Sequence, residues 1–168
     1  MKIVVFAHTP PPHHGQSYMV QLMLEGFGGD QRKRHGISPG TAREIEFYHV
    51  NARLSQDFED IGTFRAKKLF LLLRYSMEAI WCRLRYGAKI LYYIPAPGKR
   101  SAVFRDWLVM FMCRPFFSKI IFHWHAVGLG EWLETAPPRT RSLTHRFLGN
   151  ADLSIVLGNY NRADAAKF

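Results

Sequence analysis

The sequence has only two cysteines among its 168 residues, and neither lies at a metal-ligand spacing. Cys82 and Cys113 both lie within apolar helical patterns, so we expect buried free thiols in a reducing compartment and no disulfide framework. The eight histidines include no His-x3-His pair that one helix face could present to a metal. We therefore expect no metal site and no cofactor.

Long uninterrupted apolar runs are also missing. The most apolar segment, residues 69–82, contains Arg74 and Glu78, and the N-terminal run stops at His8 and three prolines. The first segment is too polar to span a bilayer, and the second is too short for a secretory signal. We expect a cytoplasmic protein, with peripheral contact at the inner face of the membrane left open.

Acidic residues are scarce, because 13 Asp and Glu face 23 Lys and Arg, for a net charge of +10. This excess calls for an anionic partner, which could be nucleic acid, an acidic membrane surface or a phosphorylated small molecule. The hydrophobic content of 48% with 14% aromatic residues is that of a globular protein. A chain of this length accommodates one domain, residues 1–168.

Short apolar runs bounded by polar, proline or glycine residues predict five strands, at residues 3–6, 45–50, 89–94, 119–124 and 153–157. Helical patterns lie between them, after Ser17 and at residues 63–86, 101–113, 139–148 and 160–168. Strands that alternate with helices predict an α/β fold with a Rossmann-like parallel sheet and helices on both faces.

The helix at 63–86 has the clearest periodicity. Its predicted core stripe is Leu69, Leu73, Met77, Ile80 and Leu84, opposite a polar stripe of Lys67, Arg74, Glu78 and Arg85. Its basic residues are interleaved with aromatic ones, which also suits the headgroup layer of a membrane. Residues 26–44, rich in glycine and charge, are expected to form a mobile basic loop.

The junction after the first strand is the most informative stretch. Three prolines force the chain out of the sheet, and Gly15 and Gln16 then offer backbone to a ligand. Ser17 is the expected N-cap of the following helix, whose N-terminus attracts anions. His13 and His14 are expected to line this loop.

Ligands of an open parallel sheet bind beyond the carboxyl ends of its strands. Five of the eight histidines fall in or beside this region, namely His8, His13, His14, His123 and His125. Basic side chains suited to a phosphate or acidic acceptor are Arg53, Lys99, Arg100 and Arg105. Glu131 and Asp106 are candidate contacts to an acceptor hydroxyl.

Three passages of the sequence lie at or near the predicted strand ends and are informative together. They are Pro-Pro-Pro-His-His-Gly-Gln-Ser at 10–17, Phe-His-Trp-His-Ala-Val-Gly at 122–128 and Ala-Asp-Leu-Ser-Ile-Val-Leu-Gly-Asn-Tyr-Asn-Arg-Ala-Asp at 151–164. Together they resemble the N-terminal half of a GT-B glycosyltransferase, in particular the family 4 enzymes that transfer a sugar from a nucleotide-sugar donor.

The resemblance implies a retaining hexosyltransferase that builds a glycan or lipid-linked product in cell-surface polysaccharide biosynthesis. His125 matches the family's reaction-centre histidine best, and His123 is the alternative. The first loop, with His14, Gly15, Gln16 and Ser17, would face the donor phosphates. The nucleotide-sugar is then a substrate, and the partners are this donor and a glycan or lipid-linked acceptor.

The family's donor sits mainly on a second Rossmann-like domain with a Glu-x7-Glu motif, which no part of these 168 residues matches. We therefore expect the chain to be the acceptor-side domain, whose C-terminal donor-binding domain is missing or separate, and to transfer little sugar alone.

Two alternatives remain open. One is a non-catalytic, membrane-associated subunit. The other is a basic nucleic-acid-binding α/β module, although the sequence lacks an RNP-like stretch, a zinc finger and a helix-turn-helix signal, so nucleic acid is not the expected partner.

Overall fold

The five predicted strands form a single sheet in which every pairing is parallel. The computed structural model describes residues 1–33, 44–53 and 66–168. The strands are β1 Lys2–Ala7, β2 Glu46–Asn51, β3 Ile90–Tyr93, β4 Lys119–Trp124 and β5 Leu153–Val156. Their order across the sheet is β2-β1-β3-β4-β5.

Helices cover both faces of the sheet, so the predicted Rossmann-like α/β class is confirmed. They are α1 Gly15–Gly26, α2 Ala66–Tyr86, α3 Arg100–Cys113, α4 Leu129–Thr135, α5 Pro138–Leu148 and α6 Asn159–Ala165. α1 packs on one face of the sheet, and α2, α3 and α5 pack on the other. Short 3-10 turns lie at Gln31–Lys33 and Arg114–Phe116.

The predicted elements differ from the structure at one helix, and two predicted segments fall partly outside the described residues. The helix α4 was not predicted, because the glycines around its first turn are typical of a loop. The predicted start of the long helix at 63–65 and most of the predicted basic loop, at 34–43, lie outside the described residues.

The strand order fixes where a ligand site can form. From β1 the chain moves outward to β2, and it then crosses back over β1 to β3. The winding direction therefore reverses between β1 and β3, and the loops that follow these two strands diverge and leave a crevice at the carboxyl edge. The loop with His8 follows β1, and the loop that leads to Lys99 follows β3.

Alternation along the strands divides the core into two clusters. On β1, Val4 and Phe6 belong to the larger cluster beneath α2, α3 and α5, whereas Ile3 and Val5 belong to the smaller cluster beneath α1. All four residues of β5 are exposed, because this strand forms an edge of the sheet.

The predicted core face of α2 is mostly wrong, since only Ile80 of its five residues is buried. Leu73, Met77 and Leu84 are exposed. The buried face carries mainly small residues, with Ser76, Ala79 and Cys82 all at 0% exposure. This helix has two apolar stripes, and periodicity alone cannot tell which of them is buried. The stripe of small side chains lets the helix approach the sheet more closely, so that stripe is the one buried.

Two further expectations concern thiols and membrane spans. Cys82 and Cys113 are both buried and free, as predicted. Among the described residues, no helix combines the length and the apolar character that crossing a bilayer requires.

Candidate functional site

The loop after β1 ends in a reciprocal cap on α1. The backbone N–H of Ser17 donates to Nδ1 of His14 at 3.3 Å, and the backbone N–H of His14 donates to Oγ of Ser17 at 3.2 Å. The N-cap is therefore His14, and the prediction of Ser17 as N-cap is wrong by three residues. Serine occupies the third helical position of a capping box, with an imidazole as the acceptor at the cap. Ser17 is fully buried, so it positions the loop and does not face a ligand.

Gly15 and Gln16 are the first two residues of α1. Their backbone N–H groups donate to no acceptor within the described part of the chain. A Cβ atom at Gly15 would meet nothing within 4 Å. Neither packing nor a left-handed backbone requires glycine here, so the open space in front of these two donors is the notable feature. An anion placed there would also meet the positive end of the helix dipole.

His8 and His14 form a hydrogen-bonded pair at the end of β1. Their Nε2 atoms are 2.8 Å apart. Because Nδ1 of His14 accepts from Ser17, the neutral His14 ring carries its proton on Nε2 and donates it to His8, which must hold its own proton on Nδ1. Burial and the neighbouring His14 lower the pKa of His8 to about 4. Burial also lowers the pKa of His14, so both rings favour the uncharged form.

A second pair lies at the carboxyl end of β4, with His123 in the strand and His125 just after it. Nε2 of His125 lies 3.2 Å from Nδ1 of His123, and the hydroxyl of Tyr92 bonds to the same Nδ1 atom. Burial raises the pKa of Tyr92, so the phenol keeps its proton and can donate it. Burial, followed by the charge of His123, lowers the pKa of His125 to about 4.

The two histidine pairs lie at one edge of the sheet. His14 is close enough to His125 to lower its pKa electrostatically. Gly15 and His125, more than a hundred residues apart in the sequence, thus come together beside the crevice between β1 and β3. We call His8, His14, Tyr92, His123 and His125 the histidine rim.

Two of the predicted arginines border the histidine rim. The charges of Arg105 and Arg53 both lower the pKa of His8, which places their guanidinium groups near it. Arg53 donates to the carbonyl of Pro10 at 2.7 Å, while its buried Nε atom has no hydrogen-bond partner among the described residues. Lys99 and Arg100 are exposed where α3 begins, after β3. The crevice is therefore bordered by basic groups and by uncharged imidazoles.

The N-terminus of α4 is closed to ligands. The buried carboxylate of Asp164 accepts from the backbone N–H groups of Gly128 at 2.6 Å and Gly130 at 2.8 Å. A Cβ at Gly130 would come within 2.7 Å of this carboxylate, so the glycine permits α6 to dock. Glu131 is exposed on α4.

Asp106 cannot contact an acceptor, so its prediction as a hydroxyl contact is wrong. Its side chain has 0% exposure. The carboxylate accepts from Tyr93 Oη at 2.7 Å and from the backbone N–H of Ala96 at 2.7 Å, and it pairs with Arg105 at 2.8 Å. It anchors the loop between β3 and α3.

Sequence reasoning missed two members of this region. Tyr92 lies in the apolar strand β3, and its side chain is on the face of the sheet that α1 covers. A tyrosine two residues before the end of an apolar run was the signal that could have identified it as a polar group near the strand ends. His49 is buried within β2 and bonds through Nε2 to the carbonyl of Ala7 at 2.8 Å, supporting the end of β1. His13, by contrast, is exposed and bonds to Tyr18 at 2.8 Å, outside the histidine rim.

No family model matches the sequence, and no curated protein matches it. The chain is an α/β protein with a Rossmann-like parallel sheet.

Proposed function

We propose that this chain is the acceptor-side domain of a retaining glycosyltransferase. Such an enzyme would move a sugar from a nucleotide-sugar to a glycan or lipid-linked acceptor. The observation that carries the proposal is the convergence of two features at the switch point of the sheet, namely the open N-terminus of α1 and the histidine rim. A sugar diphosphate offers one anionic part and one hydroxyl-rich part, which suit these two features respectively.

The diphosphate would lie against the start of α1. The N–H groups of Gly15 and Gln16 are free to donate, and no side chain at Gly15 keeps the phosphate oxygens away. Charge-assisted hydrogen bonds of this kind are about twice as strong as neutral ones. Arg53 and Arg105 add positive potential on the other side of His8.

The sugar would lie against His125. With a pKa of about 4, its ring is uncharged near neutral pH. It can therefore exchange hydrogen bonds with sugar hydroxyls, and it can stabilise developing charge through its dipole rather than as a cation. His123, which bonds to Tyr92, packs its ring against that of His125 with the ring centroids 4.1 Å apart.

On the acceptor side, Arg53, Lys99, Arg100 and Arg105 would bind a phosphate or another acidic group of the acceptor. Glu131 is exposed and could accept a hydrogen bond from an acceptor hydroxyl.

A pair of substitutions at Gly15 tests the diphosphate contact. Gly15→Pro removes the N–H group but suits the first position of a helix, and the extended backbone of His14 is compatible with a following proline. Gly15→Ala keeps the N–H group and adds only a Cβ in open space. Both variants should fold. In amide-correlation NMR spectra with millimolar UDP-glucose or GDP-mannose, we expect the Gln16 signal to shift in the wild type and to shift far less in Gly15→Pro.

Gly15→Ala should give an intermediate response, since only close approach of a ligand would be hindered by its methyl group. If no nucleotide-sugar perturbs the signals of Gly15, Gln16 or His125, the diphosphate contact does not exist. Tighter binding of generic RNA or DNA, falling steeply with salt, would favour the nucleic-acid alternative instead.

A second test concerns the reaction centre. In an enzyme that joins this chain to a donor-binding domain, His125→Ala should lower kcat by roughly a hundredfold or more, as for other lost transition-state donors. His13→Ala, an equal change at an exposed histidine of the first loop, should leave kcat unchanged. Undiminished turnover in a folded His125→Ala variant would remove the proposed centre.

A further inference from the structure

The helix α2 presents a complete apolar stripe to solvent on the side opposite its buried face. Phe70, Leu73, Met77, Trp81 and Leu84 follow one another at intervals of three and four residues, as one helix face requires. They are between 36% and 69% exposed. Single exposed apolar residues are ordinary, but a continuous stripe of five marks an interaction surface.

The neighbouring helices on the same side of the sheet also expose large apolar side chains. On α3, Phe104 is 51% exposed and Phe111 is 65% exposed, and Leu143 of α5 is 38% exposed. All three helices pack over the larger core cluster. We call these three side chains and the stripe on α2 the outer helical face.

The charges of these three helices are almost all of one sign. Their sequences contain ten lysines and arginines and two acidic residues, Glu78 and Asp106. Glu78 pairs with Arg32 at 2.7 Å, and the buried Asp106 pairs with Arg105. Neither carboxylate is therefore free to repel an anion. Arg74 and Arg85 are exposed beside the apolar stripe.

We propose that the outer helical face docks on an anionic lipid surface. Lipid headgroups supply the negative charge that its arginines require, and the acyl boundary accepts the apolar side chains. Half of the outer helical face is aliphatic, namely Leu73, Met77, Leu84 and Leu143. These side chains have no ring with which to stack on bases, whereas the acyl boundary of a membrane accepts them together with the aromatic ones, which favours lipid over nucleic acid. A second copy of the chain would bring Arg74 and Arg85 against the same basic surface, which argues against self-association.

Docking in this way leaves the crevice accessible. The outer helical face lies parallel to the sheet, whereas the histidine rim lies at the carboxyl edge of the strands. The rim would then open sideways along the lipid surface. The inference does not depend on sugar transfer, because it rests on a different face of the molecule.

Flotation of the purified chain with vesicles tests the proposal. The vesicles are phosphatidylcholine with phosphatidylglycerol, and phosphatidylcholine alone serves as the neutral comparison. We expect binding to the anionic vesicles and much weaker binding to the neutral ones. The double variant Met77→Glu with Leu84→Glu should lower the partition coefficient by at least about tenfold, since it removes two apolar contacts and adds two negative charges.

A matched control exists on the opposite face of the sheet. Met19 and Leu22 of α1 are 43% and 60% exposed, so Met19→Glu with Leu22→Glu makes the same chemical change away from the outer helical face. This control should bind vesicles nearly as the wild type does, apart from the general effect of its charge. Circular dichroism confirms that both double variants are folded.

Trp81, which is 50% exposed on the stripe, reports the contact directly. Its fluorescence should be quenched by brominated anionic lipids, and this quenching should disappear in Trp81→Phe. The proposal is overturned if neither vesicle binds, or if the two double variants lose binding equally. It is also overturned if the wild-type chain binds no vesicles but associates with itself or with nucleic acid, and Met77→Glu with Leu84→Glu abolishes that association.

Discussion

Replacing Asp106 by alanine should lower the free energy of unfolding by about 3 kcal/mol. This is the lower end of the range for breaking a buried ion pair, because the partner Arg105 is partly exposed and can reach water. Its carboxylate accepts hydrogen bonds from Tyr93, from the backbone N–H of Ala96 and from Arg105. The Tyr93 hydroxyl and the Ala96 N–H are buried, so without the carboxylate both lose their acceptor and cannot reach water instead. Urea unfolding followed by circular dichroism measures the loss.

Two comparison variants make this prediction specific. Asp106→Asn keeps one oxygen acceptor but removes the charge, so it should cost less than Asp106→Ala. Glu131→Ala removes an exposed carboxylate and should change stability by less than about 0.5 kcal/mol. A loss in Asp106→Ala no larger than that in Glu131→Ala would contradict the assignment of Asp106 as the anchor of the loop after β3.

Acid should destabilise the protein well before its carboxylates titrate. Burial lowers the pKa of His8 and of His125 from 6.5 to about 4, and it lowers the pKa of His14, His49 and His123 in the same direction. Below about pH 6.5 the histidines of the unfolded chain therefore bind protons, while the same rings in the folded chain stay neutral. The free energy of unfolding falls from there down to about pH 4, and it is fully retained above 6.5.

The size of this effect is roughly 2 kcal/mol each for His8 and His125, allowing for solvent around the half-buried rings. Urea unfolding at a series of pH values measures it. The double variant His8→Asn with His125→Asn should flatten the pH dependence, whereas His13→Asn, at an exposed ring of the same loop, should leave it unchanged. An unaltered slope in the double variant would show that these rings titrate normally.

The fold could be predicted because its signals are local. Each strand is a short apolar run, and at least one helical pattern lies between each pair of consecutive strands, so the parallel class follows from their alternation alone. The helix α4 escaped prediction because its first turn contains glycines, which disfavour a helix in isolation. That turn is stabilised by Asp164, which comes from α6 and lies 34 residues further along the chain.

The candidate site could be predicted only as a set of positions. The sequence placed His8, His14 and His125 after strands and His123 near the end of one, and the parallel sheet necessarily brings such positions to one edge. Neighbours such as Tyr92 and Ser17 decide which rings pair and which tautomer each ring adopts. They also decide which ring lies outside the histidine rim. Those neighbours are close only in the folded chain, and Tyr92 reaches His123 from another strand.

By itself, the sequence determined the α/β class, the five strands and the edge at which polar groups collect, since these depend on apolar runs and on the two structural periods. Only the tertiary structure decided which stripe of α2 is buried, that His14 caps α1, and that Asp106 and Asp164 are buried anchors. The physical reason is that burial and hydrogen bonding are properties of pairs of surfaces. A single segment carries its own periodicity, but the partner that covers it or satisfies its polar atoms comes from elsewhere in the chain.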